Sequence, residues 1–474
     1  MRLNRLIHIL MTAAFVLAAS GCAIGPNYQR PSGPDVSAFK EAEGWVSAAP
    51  ADMLERGPWW LLFDDPVLTN LASQVEVSNQ NVVAAVASYA QARALVREQR
   101  AGLFPAVTLD GGANRSQSAS GNPNTAGSGS RRAGNSYQVS IGGSWEPDVW
   151  GRLGRTVDSA SASAQASEAD LASARLSAQG ELAVNYLTLR QLDAQKELFG
   201  TTLTGFQRTL DITQNRYAAG IAAKTDVLQA QTQLANARAD DAGLTRQRAR
   251  LEHAIAVLVG EAPANFSLAP SAWNPSVPDV PVGVPSELLQ RRPDIAVAER
   301  SVAVANEQIG IARAAYYPSL SLGASYGLGA SRVADLFGVS SSVWSFGLSA
   351  AQSLFKAGAT TARVEGREAA HTQAVARYRQ TVLTAFQGVE DQLAATRVLL
   401  VQQGLRRQAS EAADQVEQQV LNRYRSGQVS YTEVITAQAT ALNARRALVQ
   451  AMADRQTTAV ALIQSLGGGW QAGR

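Results

Sequence analysis

The spacing of apolar and polar residues changes period several times along the chain, and each change marks an element. From about Val67 to Ala101 the apolar positions follow a helical repeat, which Pro105 ends. The period then falls to two. Leu320, Leu322, Ala324, Tyr326 and Leu328 alternate with Ser319, Ser321, Gly323, Ser325 and Gly327, and Trp344, Phe346, Leu348 and Ala350 alternate with small polar residues in the same way. One face is apolar and the other small and wet, which predicts strands. Residues 106–114 and 137–145 show the same pattern more weakly. Ser/Gly/Asn-rich loops at 116–135 and 331–342 join each pair. Strands of about ten residues with this alternation are the mark of an outer-membrane barrel, although two hairpins on a soluble core would read alike. Four strands cannot close, and lipid does not tolerate open edges. Either the hairpins are soluble or several chains pool them, and three chains would supply twelve strands.

Each hairpin precedes a very long helical stretch, roughly Leu153 to Arg216 and Ala357 to Arg423. At ~1.5 Å per residue these would be on the order of 90 to 100 Å. Apolar residues recur every seven, as in Val375, Val382 and Val389 and in Phe386, Leu393 and Leu400, with Ala filling much of the rest. Gly220 and Gly427 then stand where a left-handed residue would end the helix, and a second helix returns. The segment NRYAAGIAAKTDVLQAQTQLANAR from Asn215 recurs as NRYRSGQVSYTEVITAQATALNAR from Asn422, 207 positions on and without a gap. Asn81 to Pro105 and Asp294 to Pro318 match in the same manner, 213 positions apart. The chain is therefore a tandem duplication of a unit of about 210 residues.

The expected organisation is a leader at 1–21, an extended arm at 22–64 and a first copy at 65–261. That copy comprises a helix, hairpin 103–146, long helix 153–216, tip 217–224 and return helix 225–260. A proline-rich linker at 262–285 leads to a second copy at 286–466, with hairpin 319–352, long helix 357–423, tip 424–430 and return helix 431–466. A tail at 467–474 follows.

Composition narrows the function. Arg2 and Arg5, the apolar run Leu6 to Ala19, and then Ser20, Gly21 and Cys22 have the order of an export signal. Cys22 is the only cysteine, so no internal disulfide is possible. The pI near 9.0 points first to nucleic acid. Without Arg2 and Arg5, however, the 42 Lys and Arg fall to 40 against 39 Asp and Glu, and no basic face for nucleic acid is implied. No apolar run after the leader reaches the ~18 to 20 residues of a transmembrane helix, so any membrane crossing falls to the strands. His253 and His371 stand alone on helices without a second ligand at metal spacing, and no nucleophile elbow or phosphate loop occurs. The expectation is no enzyme, no catalytic residue, no metal and no cofactor.

Cys22 with GPNYQRP at 25–31, WW and DDPVLTNL between Trp59 and Leu71, PSELLQRRPDIAVAER from Pro285, NEQIGIARAAYYPSL from Asn306 and both RYxxG tips together resemble the TolC family of outer-membrane efflux proteins. Within it the NodT and OprM-like lipoproteins are the nearest subgroup. The resemblance covers essentially the whole chain after the leader. It implies a mainly α protein with a β-barrel portion: a homotrimer whose 12-stranded outer-membrane β-barrel is continuous with a 12-helix periplasmic α-barrel. It also implies acylation of Cys22, a periplasmic adaptor and an inner-membrane pump of the RND type, and hence the exit duct of a tripartite efflux system. A type I protein-secretion duct and a non-conducting acylated coiled-coil scaffold are the alternatives. Asp226, Tyr424 and Glu433 match positions that the family uses to close the periplasmic end, whereas Thr436 stands where the family often has Asp. Arg216, Tyr217, Gly220, Arg423 and Gly427 fall at the tips expected to meet the adaptor. Glu433 could equally form a capping box with Ser430, and Asp226 could serve only the first-turn helix dipole.

Overall fold

The computed structural model of the chain describes residues 23–32, 39–41, 58–118, 132–280, 292–338 and 341–468. Cys22 and the leader before it, 281–291 of the inter-copy segment and 469–474 of the tail lie outside the described residues. The element order is a 3-10 helix at Trp59–Phe63, α1 (Pro66–Ser78), α2 (Gln80–Ala101), β1 (Ala106–Ser118), β2 (Arg132–Trp145), α3 (Arg152–Ala218), α4 (Lys224–Leu258), α5 (Pro293–Ala314), β3 (Ser319–Ala330), β4 (Ser342–Ala351), α6 (Ala359–Arg425) and α7 (Tyr431–Ser465). The fold is mainly α with one β portion. α3 and α6 are 67 residues each and α4 and α7 are 35 each, so the matched sequences fold into elements of matched length.

Two expectations need correction. The helical pattern from Val67 to Ala101 is two helices, because Asn79 at ψ 121° leaves the helical region. Its Oδ1 accepts the amides of Asn81 and Val82, capping α2, while its Nδ2 donates to Leu258 O at 2.8 Å. The second long helix starts after Gly358, not at Ala357, since Ala357 and Gly358 both have positive φ (47° and 81°).

The chain forms two compact units. The first is built from the described parts of Met1–Pro31, Ala90–Ala166 and Ala298–Tyr378. Its sheet has the order β1-β2-β3-β4, antiparallel throughout, so β1 and β4 are both edges. Strands β1 and β2 extend to Ser118 and back from Arg132, further into the Ser/Gly/Asn-rich stretch than the alternation predicts. Backbone pairing tolerates the small polar residues there. Beside the sheet, the buried Arg155 holds Glu307 at 2.7 Å and the carbonyls of Pro26 and Gly25, while Asn306 also donates to Pro26 O. The segment beginning at Ala23 is thereby bound to α3 and α5, with Ile24 N donating to Trp150 O.

The second unit is built from the described parts of Ser32–Tyr89, Ser167–Val297 and Arg379–Arg474. Towards the tips its core joins Phe199, Phe206 and Leu210 of α3, Leu234 of α4, Tyr424 of α6, and Tyr431 and Val434 of α7. Further along α3, Asp65 caps α1 and accepts the Tyr186 hydroxyl at 2.7 Å. Arg190 donates to that same hydroxyl and pairs with Asp193 at 3.0 Å, and Asp193 also meets Arg248 at 2.7 Å. This chain of charges grips the linker after α4. Arg190 and Arg248 donate to the carbonyls of Ala269 and Leu268, and Glu252 accepts the Leu268 amide at 2.6 Å. Trp273 and the carbonyls of Asn274 and Ser276 bind Gln456 of α7. The described part of the proline-rich linker, 262–280, contains no helix, and it is clasped at Leu268, Ala269, Trp273, Asn274 and Ser276.

Candidate functional site

Two places on the chain are built for contact rather than for internal packing. The first is the sheet. Register places Leu109, Ile141, Tyr326 and Trp344 in one row and Leu322 opposite Leu348 in another, all on the same face. Leu322 is half-buried, but the rest of these and the neighbouring Phe346 are exposed: Leu109 76%, Trp344 74%, Phe346 69% and Leu348 65%. An apolar patch of this extent is a surface that something else covers. On the opposite face, hydroxyl pairs cross β3 and β4, Ser321 with Ser349 at 2.7 Å and Ser325 with Ser345 at 2.8 Å. Small residues line a shallow groove over that face, including Thr108, Ser144 and Gly323.

Aromatic residues gather at both ends of the apolar face. At the end next to the helices, Trp150 stacks on Tyr317 at 4.9 Å and donates to Pro318 O, Trp145 donates to Leu103 O, and Phe104 and Phe355 are exposed. At the far end lie Tyr137, opposite Ala330, and the exposed Phe337. Between Tyr137 and Trp145 the strand runs for about 26 Å at ~3.3 Å per residue, close to the ~25 Å apolar band of a membrane barrel. Among the described residues no helix is long and apolar enough to cross a membrane.

The second place is the pair of tips. Each ends in the same hydrogen-bonded cap. Gly220 (φ 74°) donates to Tyr217 O and Ile221 to Arg216 O; Gly427 (φ 76°) donates to Tyr424 O and Gln428 to Arg423 O. The RYxxG motif is therefore a Schellman cap in which Arg and Tyr supply the last carbonyls and Gly supplies the left-handed residue. Nothing lies within 4 Å of a Cβ built on Gly220, so conformation rather than space calls for glycine there.

The two motifs have different surroundings. Tyr424 is buried, with its ring under the Arg216 guanidinium at 4.8 Å, its carbonyl accepting from Arg216 Nη1 at 2.6 Å and its hydroxyl 3.2 Å from Thr213 Oγ1. Tyr431 packs on it at 5.6 Å between ring centroids. Burial, then the neighbouring Tyr424 and Asp226, push the Tyr431 hydroxyl up to about 12. By contrast, Tyr217 and Arg423 are exposed. Asp226, in the first turn of α4, is brought near this cluster, but Thr436 is not: it is exposed, and its hydroxyl donates to Thr432 O of its own helix. Glu433 accepts the Ser430 amide at 3.4 Å in a capping box, so the cap role is present in the chain. Cys22 lies outside the described residues.

The sequence reading missed Thr213, Tyr431 and the Arg190–Asp193–Arg248 clasp. Charged residues at i, i+3 and i+4 spacing inside Ala-rich helices are the signal that marks the last of these. Among the described residues no cluster of His, Cys, Asp or Glu has the makings of a metal site.

A four-stranded antiparallel sheet with a bare apolar face between aromatic belts, in a chain whose other unit is paired helices ending in capped tips, defines a membrane-facing protein of strands and long helices. The chain belongs to the outer membrane efflux protein family, whose pattern matches residues 71–261 and 284–468. The probable efflux pump outer membrane protein TtgC of Pseudomonas putida is 31% identical over 465 residues, covering 97% of this chain and 95% of that protein. The cation efflux system protein CusC of Escherichia coli is 28% identical, covering 98% and 99%. Among solved structures, the outer-membrane channel OprN superposes with a TM-score of 0.87 at 30% identity, covering 95% of this chain and 100% of that one.

Proposed function

We propose that three copies of the chain pool their sheets into a closed twelve-stranded wall in the outer membrane, and that the assembly is the exit duct of a tripartite efflux system for small solutes. The observation that carries this reading is the two-faced sheet with open edges at β1 and β4. Its apolar face is fit for lipid, its Ser/Gly face is fit for a water-filled lumen, and only joining β4 of one copy to β1 of the next removes both edges. Membership of a family whose members are named for efflux supports the choice of cargo class. An adaptor would meet the tips at Arg216, Tyr217, Gly220, Arg423 and Gly427, and an inner-membrane pump of the RND type would supply the energy. Asp226, Tyr424, Glu433 and Thr436 would surround the periplasmic aperture, and acylated Cys22 would tether the chain to the membrane.

Reconstitution in a planar bilayer tests the duct. The purified protein is expected to insert as a trimer and give discrete single-channel steps; a water-soluble monomer that conducts nothing would overturn the proposal. Gly427→Asp tests the tip contact, with the expectation that trimers still form while drug resistance is lost.

A further inference from the structure

Beyond the far aromatic belt the apolar face of the sheet changes chemistry. Register sets Arg115 opposite Asn135, and an even number of steps from Leu109 and Ile141 keeps both on the apolar face. Arg332 reaches the same rim. It follows Ala330, the partner of Tyr137, by two residues and is extended (φ −131°, ψ 143°). All three residues are exposed, and among the described residues neither arginine has a side-chain hydrogen bond or an ion pair. Asp110 and Asp335 are the only acids within 106–145 and 319–351, and neither answers them. Asp110 falls on the opposite face, where it accepts the Thr108 hydroxyl, and Asp335, in the turn after Arg332, makes no ion pair with it.

We infer that Arg115 and Arg332, with the Asn135 amide between them, hold the phosphate group of a lipid in the outer leaflet. This rests on the proposed membrane wall and names what binds at its outer rim. Depth is the first support. Arg115 and Asn135 lie two residues past Tyr137, about 7 Å at ~3.3 Å per residue, and the headgroup zone outside the hydrocarbon is about 5 to 8 Å deep. Charge is the second. A guanidinium carries only donors, and its fork matches a phosphate, the anion that lipid headgroups place at that depth. The two arginines belong to strands two apart, about 10 Å at ~4.8 Å per strand, so their side chains can lean together over Asn135 and enclose one phosphate. The apolar face favours a lipid over phosphate in solution. Leu109, Ile141 and Tyr326 lie inward of the pair, and Phe337 is exposed at the same rim. One molecule can therefore meet the arginines with its headgroup and the sheet with its acyl chains.

Native mass spectrometry of the full-length protein in detergent tests this, with diphosphoryl lipid A, the same lipid stripped of its phosphates, and inorganic phosphate as the probes. Diphosphoryl lipid A is expected to stay bound, and the stripped lipid to be lost. Arg115→Gln and Arg332→Gln are each expected to weaken retention about fivefold, the size of a contact between a surface arginine and an anionic lipid, while the trimers still form and conduct. Both positions are exposed, and either variant alone is enough to read the effect. Conducting trimers of the variants that retain the lipid as before, or equal retention of the stripped lipid, would overturn the site and leave the duct standing. Displacement of the lipid by inorganic phosphate at an equal concentration would make this a site for free phosphate and overturn the lipid as its occupant. A water-soluble monomer that takes up no lipid would remove both the site and the duct.

Discussion

The Tyr424 hydroxyl and Thr213 Oγ1 meet in a buried position, and Thr213 already donates to Thr209 O at 2.9 Å. Tyr424→Phe therefore deletes one hydrogen bond and leaves the ring under Arg216, and the expected cost is about 0.5–1.5 kcal/mol. Thermal or denaturant unfolding of the purified protein measures it; a loss several times larger would mean that the hydroxyl does more than bind Thr213. Tyr431 makes a pH prediction with a definite sign. Its ordinary value is 10.0 and burial raises it to about 12 in the fold. The folded state keeps the proton that the unfolded chain loses, so the contribution of this group is full below pH ~10 and declines as pH rises from there through about 12. Ultraviolet titration of the tyrosinate band should show a late-titrating group of tyrosines, since burial also raises Tyr28 and Tyr186, and Tyr431→Phe should remove one tyrosine's share of that lag. The places of Asp226, Tyr424 and Glu433 were legible only through the family resemblance, which ties them by spacing to Gly220 and Gly427. Their neighbours were not: identical RYxxG letters end in a buried Tyr424 and an exposed Tyr217, and nothing within either motif distinguishes them.

Helix ends carry most of the specification among the elements. At the end of α4, Gly260 has φ 78°, and a Cβ there would lie 2.3 Å from Ser78 O, at the break between α1 and α2. Asn79 holds the same junction through Leu258 O. Gly260→Ala combines left-handed strain of about 1–2 kcal/mol with a backbone clash that only movement of α4 can relieve. It is expected to destabilise by more than Gly220→Ala, where strain acts without a clash, and paired melting curves of the two variants compare them directly. The lengths of α3, α4, α6 and α7 were readable from the heptad spacing and the capping glycines, since both depend on residues within a turn or two. The Asn79 break was not, because an asparagine in a helical pattern becomes a cap only when a partner such as Leu258 O is at hand. The clasp of the linker by Arg190, Arg248, Glu252 and Gln456 was equally hidden, since its partners lie up to 183 positions apart in the chain.

For the whole molecule, the two faces of β4 separate membrane insertion from conduction. Phe346→Arg places a charge on the face assigned to lipid, where an arginine costs about 2–4 kcal/mol at the bilayer midplane, and the amount of assembled protein in the outer membrane is expected to fall. Ser345→Arg, one residue away on the other face, is expected to leave assembly intact and lower single-channel conductance. Equal losses of assembly from both variants would remove the assignment of faces. The duplication, the switch from period two to period seven, the capped tips and the family were all determined by the sequence, because each is written in short-range spacing or in one stretch repeating another. Which Tyr of a repeated pair is buried, where α1 parts from α2, and which charges grip the linker were decided by the tertiary structure. The physical reason is that burial and charge pairing depend on which surfaces meet, and residues far apart in the chain acquire that relation only once the helices have packed.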